Sequence, residues 1–162
     1  MDNKIEIEFL GESNAIERVY DEDSLEQAIV AWEYLKQELE INMEIVLKTH
    51  FLLMKNQPLG NEEKGFIRTC PVYIGGREGL KHNEISKALK FWIQKMNYKP
   101  FPNNAEEFGK DLHVQYEHIH PFVDGNGRTG RMFMNWYRIR NGLPILVIHE
   151  GEEQFAYYKW FK

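Results

Sequence analysis

The chain has 162 residues, of which 43% are apolar and 28% charged, enough to build one domain around its own core and too apolar for a disordered tail. Its formal charge of -5 argues against a nucleic-acid or anionic-membrane partner, so any anion site has to be local. The lone cysteine, Cys70, closes no internal disulfide, residues 1–10 alternate acidic and apolar side chains instead of forming a secretory leader, and no apolar run approaches the roughly 20 residues a membrane span needs. A cytoplasmic protein is expected.

From Ser24 onward, Leu25, Ala28, Ile29, Trp32, Leu35 and Leu39 recur at helical spacing, and Ser24 with Gln27 reads as a capping box. A second helix carries Met43, Val46, Leu47, His50 and Met54 and stops before Pro58, so the two are expected to pack as a helical hairpin. Between Gly65 and Gly76, Phe66 to Arg68 and Val72 to Ile74 flank Thr69-Cys70-Pro71 and read as an isolated β-hairpin. Ile85, Leu89, Trp92, Ile93 and Met96 follow Asn83 as cap. Phe108, Leu112, Tyr116 and Ile119 follow Asn104, with Glu107 as its capping partner. Met132, Phe133, Trp136 and Tyr137 run to Asn141-Gly142, ahead of Pro144, and a last helical stretch runs from Gln154 to Phe161. The expected fold is all-α, a helical bundle with one small β-hairpin, and the expected unit is a single domain over residues 1–162.

The chemistry concentrates between the fourth and fifth of these helices, in His120-Pro121-Phe122-Val123-Asp124-Gly125-Asn126-Gly127-Arg128-Thr129-Gly130-Arg131. Pro121 disfavours helix at His120, which puts an imidazole at a loop mouth where a general base can work. Phe122 is an apolar anchor for the loop. Asp124 is a hard oxygen donor of the kind magnesium takes. Gly125-Asn126-Gly127 lets backbone amides converge on an anion at a helix N-terminus, and Arg128 and Arg131 fork onto further phosphate oxygens. Singly each has an ordinary explanation, a turn, a cap or a surface histidine; helix stability does not explain two arginines at a helix N-terminus. Gly125, Gly127 and Gly130 also match the glycine spacing of a dinucleotide turn, but the residues before them have helical period where that turn needs a strand. A zinc site at His113, His118 and His120 is disfavoured because His118 and His120 point to opposite sides of a helix.

The segment from His120 to Arg131 resembles the Fic family, whose motif His-x-Phe-x-Asp/Glu-Gly-Asn-Gly-Arg-x-x-Arg it matches at every specified position. The likeness extends to residues 65–76, similar to that family's flap, and to Asn135, Gly142 and Pro144. The resemblance implies the helical Fic fold and transfer of AMP from ATP to a Ser, Thr or Tyr hydroxyl of a target protein, with Mg2+ as cofactor. It implies His120 as general base, Phe122 as inward anchor, Asp124 as magnesium ligand, Gly125, Asn126 and Gly127 as the anion hole, and Arg128 and Arg131 on the β- and γ-phosphates. Val72, Tyr73 and Ile74 would dock the target main chain by strand addition. Tyr157 and Tyr158 would contact the nucleotide, with a one-residue shift in spacing. Gly127 stands where the related Doc kinases carry lysine, which favours AMP transfer over γ-phosphate transfer.

Within residues 1–22, Ser13-Asn14-Ala15-Ile16-Glu17 resembles the family's inhibitory motif, Ser/Thr-x-x-x-Glu-Gly/Asn, with Arg18 where Gly or Asn is usual. Ser13 would cap a short helix and set Glu17 to reach Arg131 in place of a γ-phosphate. The same likeness leaves open a UMP or phosphocholine donor and removal of AMP, and a nucleotide-binding regulatory module without turnover is the reading from another class, which the intact His120 opposes. Cys70 reads as an ordinary turn residue, and a homo-oligomer is left open.

Overall fold

Glu6, Phe9, Leu10, Ser13 and Asn14 are buried and lie three or four residues apart, which is why the N-terminal stretch forms a helix, α1 (Asn3–Ile16), despite its low apolar content. The computed structural model describes residues 3–99 and 102–162; Met1 and Asp2, at the head of this stretch, lie outside the described residues. Ser13 therefore sits in the last turn of a long helix and caps nothing. The helix ends in a Schellman turn: Val19 N–H donates to the Asn14 carbonyl at 3.0 Å and Arg18 N–H to the Ala15 carbonyl at 2.9 Å. Arg18 is left-handed there, with φ 59°.

Helix α2 (Glu22–Lys36) is capped by Asp21, whose carboxylate accepts from the Ser24 N–H and hydroxyl at 2.9 Å and 2.8 Å. The expected cap at Ser24 with Gln27 is thus one turn late: Ser24 lies inside the first turn and donates to the Asp21 cap. Asn42 caps α3 (Met43–Met54), which packs on α2 as the expected hairpin.

The β-hairpin is shorter and later than residues 65–76. Strand β1 (Tyr73–Ile74) pairs antiparallel with β2 (Arg77–Glu78) in the register Tyr73 with Glu78 and Ile74 with Arg77. Gly75 and Gly76 are its two-residue turn, both at positive φ, 55° and 81°, as a type I′ turn requires. Phe66 to Arg68 is not a strand; Arg68 N–H donates instead to the Pro121 carbonyl at 2.9 Å.

Helix α4 (Ile85–Asn97) is entered through a 3-10 turn, His82–Glu84, so Asn83 lies inside that turn and does not cap. Helix α5 (Ala105–Ile119) starts after Asn104 as expected, although the Asn104 side chain makes no capping bond. Helix α6 (Asn126–Arg140) crosses the middle of the molecule, and α7 (Glu152–Tyr158) with a 3-10 turn at Lys159–Phe161 closes on it. Trp32, Trp92, Tyr116, Phe122, Phe133 and Tyr137 fill the main core, while Ile16, Met134, Ile148 and Tyr157 make a smaller one joining α1, α6 and α7. Among the described residues no helix is long and apolar enough to cross a membrane.

A left-handed residue other than glycine costs about 1 kcal/mol. Arg18→Gly is therefore expected to raise Tm by about 2–4 °C in a domain of this size, measured by thermal denaturation; a fall in Tm would mean that the Arg18 side chain holds the turn.

Candidate active site

Pro121 forces α5 to end at His120, and it does so in the left-handed region, φ 48° and ψ 63°. The loop that follows is fixed from several sides. Asn126 turns its side chain back, its Oδ1 accepting from Phe122 N–H at 2.9 Å and its Nδ2 donating to the Phe122 carbonyl at 2.8 Å. Phe122 is fully buried and stacks on His50 of α3, ring centroids 3.7 Å apart. The Thr129 hydroxyl donates to the Gly125 carbonyl at 2.9 Å and accepts from Tyr116 at 2.7 Å, locking α6 to α5.

His50 was invisible as a site residue in the sequence, where it reads as part of an apolar helix face. Its Nδ1 accepts from Gly65 N–H at 2.9 Å, so Nε2 carries the proton and donates to the Asp124 carbonyl at 2.8 Å. One neutral ring therefore ties the loop after α5 to the segment leading into the β-hairpin, and burial lowers its pKa to about 4.

His120, Asp124, Gly125, Asn126, Gly127, Arg128 and Arg131 line a single cavity of about 560 Å³, together with Glu17, Ile74, Tyr157 and Tyr158. Val72 and Tyr73 lie on the hairpin but do not face this cavity. The His120 Nδ1 lies 3.2 Å from the Glu117 carbonyl, which can only accept, so Nδ1 holds the proton and Nε2 is left as the basic atom. Burial first, and the Arg68 guanidinium after it, lower the His120 pKa below that of a free imidazole, which keeps the ring neutral at pH 7. Asp124 exposes its carboxylate to the cavity, with Oδ1 accepting from Gly125 N–H at 2.8 Å and Oδ2 3.8 Å from Arg128. Gly125 starts α6 at φ 83°, leaving the amides of Asn126, Gly127 and Arg128 without a carbonyl inside the helix.

Arg128 is buried, 3% exposed, with Nη1 donating to Gln57 at 3.3 Å. Arg131, 2% exposed, has its donors engaged from both ends of the chain. Its Nε donates to the Ser13 hydroxyl at 2.7 Å, Nη2 to the Ser13 carbonyl at 2.9 Å and to Glu17 at 2.8 Å, and Nη1 to the Tyr157 hydroxyl at 3.1 Å. Glu17 also lies so close over Gly127 that a Cβ there would collide with its carboxylate. Tyr157 is buried, its hydroxyl donating to His113 Nε2 at 2.6 Å, whereas Tyr158 stands at the mouth, 42% exposed.

This loop, flanked by a helical bundle and a short hairpin, matches the profile of the Fic/DOC family over residues 40–138. The chain belongs to the Fic/DOC family. It is 29% identical over 130 residues to the protein adenylyltransferase Fic of Drosophila grimshawi, covering 79% of this chain and 26% of that protein. The chain thus spans about a quarter of the length of such curated relatives. The fold is also that of a Fic-domain signaling protein from Bacteroides thetaiotaomicron, with a TM-score of 0.81, 21% identity and coverage of 98% of this chain and 70% of that one. A more distant likeness is to BepC of Bartonella tribocorum, solved with bound AMPPNP, with a TM-score of 0.53 and 21% identity over 80% of this chain and 69% of that one.

Beyond the family motif, the cavity wall includes Glu117, which lies three residues before His120 on the same helix face and was not singled out from the sequence. Its Oε2 is 3.9 Å from His120 Nδ1, its Oε1 is buried without a hydrogen-bond partner, and burial, with Glu17 after it, raises its pKa to about 7. His113, His118 and His120 do not converge: the His113 ring belongs to Tyr157, and His118 is exposed.

The buried groups set how stability depends on pH. Burial lowers the pKa of His50 to about 4 and of His113 to about 3, against 6.5 when unfolded, so their contribution is complete above pH 6.5 and is lost as pH falls. Glu117 acts in the opposite sense: its raised pKa of about 7, against 4.5, gives stability that is present at low pH and lost as pH rises through 7. From pH 6.5 to 4.5 the buried imidazoles, His120 among them, outweigh the one carboxylate, a net loss on the order of 1–2 kcal/mol per pH unit. Tm is expected to fall across that window and to fall less steeply in His113→Gln; a flat parent profile would contradict the assignment.

Proposed function

We propose that the chain transfers AMP from ATP to a Ser, Thr or Tyr hydroxyl of a target protein, releasing pyrophosphate, and that Glu17 restrains the transfer. The observation that carries this reading is the convergence of a neutral imidazole with a free Nε2, an exposed carboxylate, three first-turn amides and two buried arginines on one cavity. Relatives that are named protein adenylyltransferases, and an AMPPNP-bound structural neighbour, support it.

In this mechanism the target hydroxyl approaches the α-phosphate while His120 Nε2 takes its proton. The new bond joins the hydroxyl oxygen to the α-phosphorus, the bond from that phosphorus to the bridging oxygen breaks, and its electron pair leaves on pyrophosphate. The amides of Asn126, Gly127 and Arg128, at the positive end of α6, bind the charge that develops on the α-phosphate oxygens. Arg128 and Arg131 hold the β- and γ-phosphates. Asp124 suits one magnesium ion, because a single exposed carboxylate leaves the remaining coordination positions to phosphate oxygens and water. When bound, that ion neutralises phosphate charge and orients the leaving group. Gly127 stands where the related Doc kinases carry lysine, which favours delivery of the α-phosphate over their γ-phosphate arrangement.

Glu17 occupies Arg131 with a carboxylate where a γ-phosphate would otherwise bind, so ATP enters with its triphosphate out of line. The left-handed Arg18 behind it makes the turn that carries Glu17 more strained than a Gly or Asn would.

Incubation with Mg-ATP followed by intact-protein mass spectrometry tests the reading. Glu17→Gly is expected to add AMP-sized mass at least tenfold faster than the parent, and adding His120→Ala to abolish the gain. The rate should rise with pH through a midpoint below 6.5, the side to which the His120 pKa is shifted. Label from α-labelled ATP should be retained; retention of only the γ-label would overturn AMP transfer, and equal rates in parent and Glu17→Gly would overturn the restraint.

A further inference from the structure

Arg68 is a buried guanidinium, 2% exposed, that pairs with no carboxylate among the described residues. All its side-chain hydrogen bonds go to backbone carbonyls. Nε donates to His120 at 2.7 Å, Nη2 to Ile119 at 3.3 Å and Leu80 at 2.5 Å, and Nη1 to Cys70 at 2.9 Å. Its own N–H donates to the Pro121 carbonyl at 2.9 Å.

These acceptors belong to two places. Ile119, His120 and Pro121 form the C-terminal end of α5, where unpaired carbonyls and the negative end of the helix dipole attract a cation. Cys70 and Leu80 are the two ends of the segment that carries the β-hairpin. One planar fork therefore closes the base of the flap and caps the helix that presents the general base. His120 is held left-handed, a state that persists only where its surroundings fix it. Asn126 and His50 fix the loop after it, and Arg68 fixes the His120 carbonyl itself.

We infer that Arg68 is a positioning residue: given the transfer proposed for this site, it makes the flap and the His120 backbone one rigid unit, so that a main chain added to the flap presents its hydroxyl to the His120 ring at a fixed distance. The charged and titratable groups around that ring are Arg68, Glu117, Glu17 and Asp124, and of these Arg68 alone also holds the flap. Lysine keeps the charge but cannot reach four carbonyls from a single ammonium.

The test compares Arg68→Lys and Arg68→Met in the Glu17→Gly background, with Leu35→Ala in the distant α2 core as a control for lost stability. Saturation of self-modification with Mg-ATP is expected to show kcat lower by about 10- to 100-fold in both Arg68 variants, with KM for ATP within about twofold, and no such split in Leu35→Ala. Amide hydrogen exchange should speed up together at residues 72–79 and 119–122 in both variants while that of α2 and α3 stays unchanged. Full activity in Arg68→Lys, or an equal loss of kcat in Leu35→Ala, would overturn the inference. If Glu17→Gly proves inert, the transfer reading fails, and exchange still decides: joint acceleration of the two segments upholds the clamp, and acceleration of neither or of one alone overturns it.

Discussion

A guanidinium sealed inside a protein has to be given partners, because an unpaired buried charge costs more than most core contacts return. Arg131 sits at that point in this molecule, on the helix that crosses the core. Its partners come from α1, through Ser13 and Glu17, and from α7, through Tyr157, so one side chain draws both ends of the chain onto the same cavity. The small cluster of Ile16, Met134, Ile148 and Tyr157 packs around this pairing, and His113 behind Tyr157 holds the phenol in place. The phosphate-binding arginine of the proposed reaction is thus also the residue that docks the segment proposed to restrain it.

Two residues other than glycine take the left-handed conformation among the described residues, His120 lining the cavity and Arg18 next to Glu17, which lines it. Arg18 closes α1 next to Glu17, and His120 closes α5. The surroundings treat them differently. His120 is fixed through a carbonyl bonded to a buried guanidinium and a neighbouring loop stapled by His50 and Asn126. Arg18 is exposed, and its turn is closed by three backbone hydrogen bonds, donated by Glu17, Arg18 and Val19.

Much of this was legible before the structure. Helices α3 to α6 have apolar residues at clean helical spacing, and the residues from His120 to Arg131 are contiguous, so their convergence on one loop could be read directly. Pro121 announced the end of α5. Helix α1 was read as a short helix because its buried face includes Glu6, Ser13 and Asn14, polar residues whose partners lie elsewhere, as Lys36 does for Glu6. The hairpin was shifted because two-residue strands carry no alternation, and Thr69-Cys70-Pro71 looks as turn-like as Gly75-Gly76. Asp21 and Ser24 are both good caps, and only packing chose between them. His50, Arg68 and Glu117 left no motif: each acts on the loop from another element or from the preceding helix turn, and contacts across the fold have no spacing in sequence.

The most direct test of the account is where the γ-phosphate goes. Crystal structures of the parent and of Glu17→Gly, each with magnesium and a non-hydrolysable ATP analogue, should differ at Arg131. With Glu17 removed, a γ-phosphate oxygen is expected within hydrogen-bond distance of the Arg131 guanidinium and the α-phosphate in line with His120 Nε2; in the parent, Glu17 keeps that place. A γ-phosphate seated on Arg131 while Glu17 remains bound to it would contradict the account.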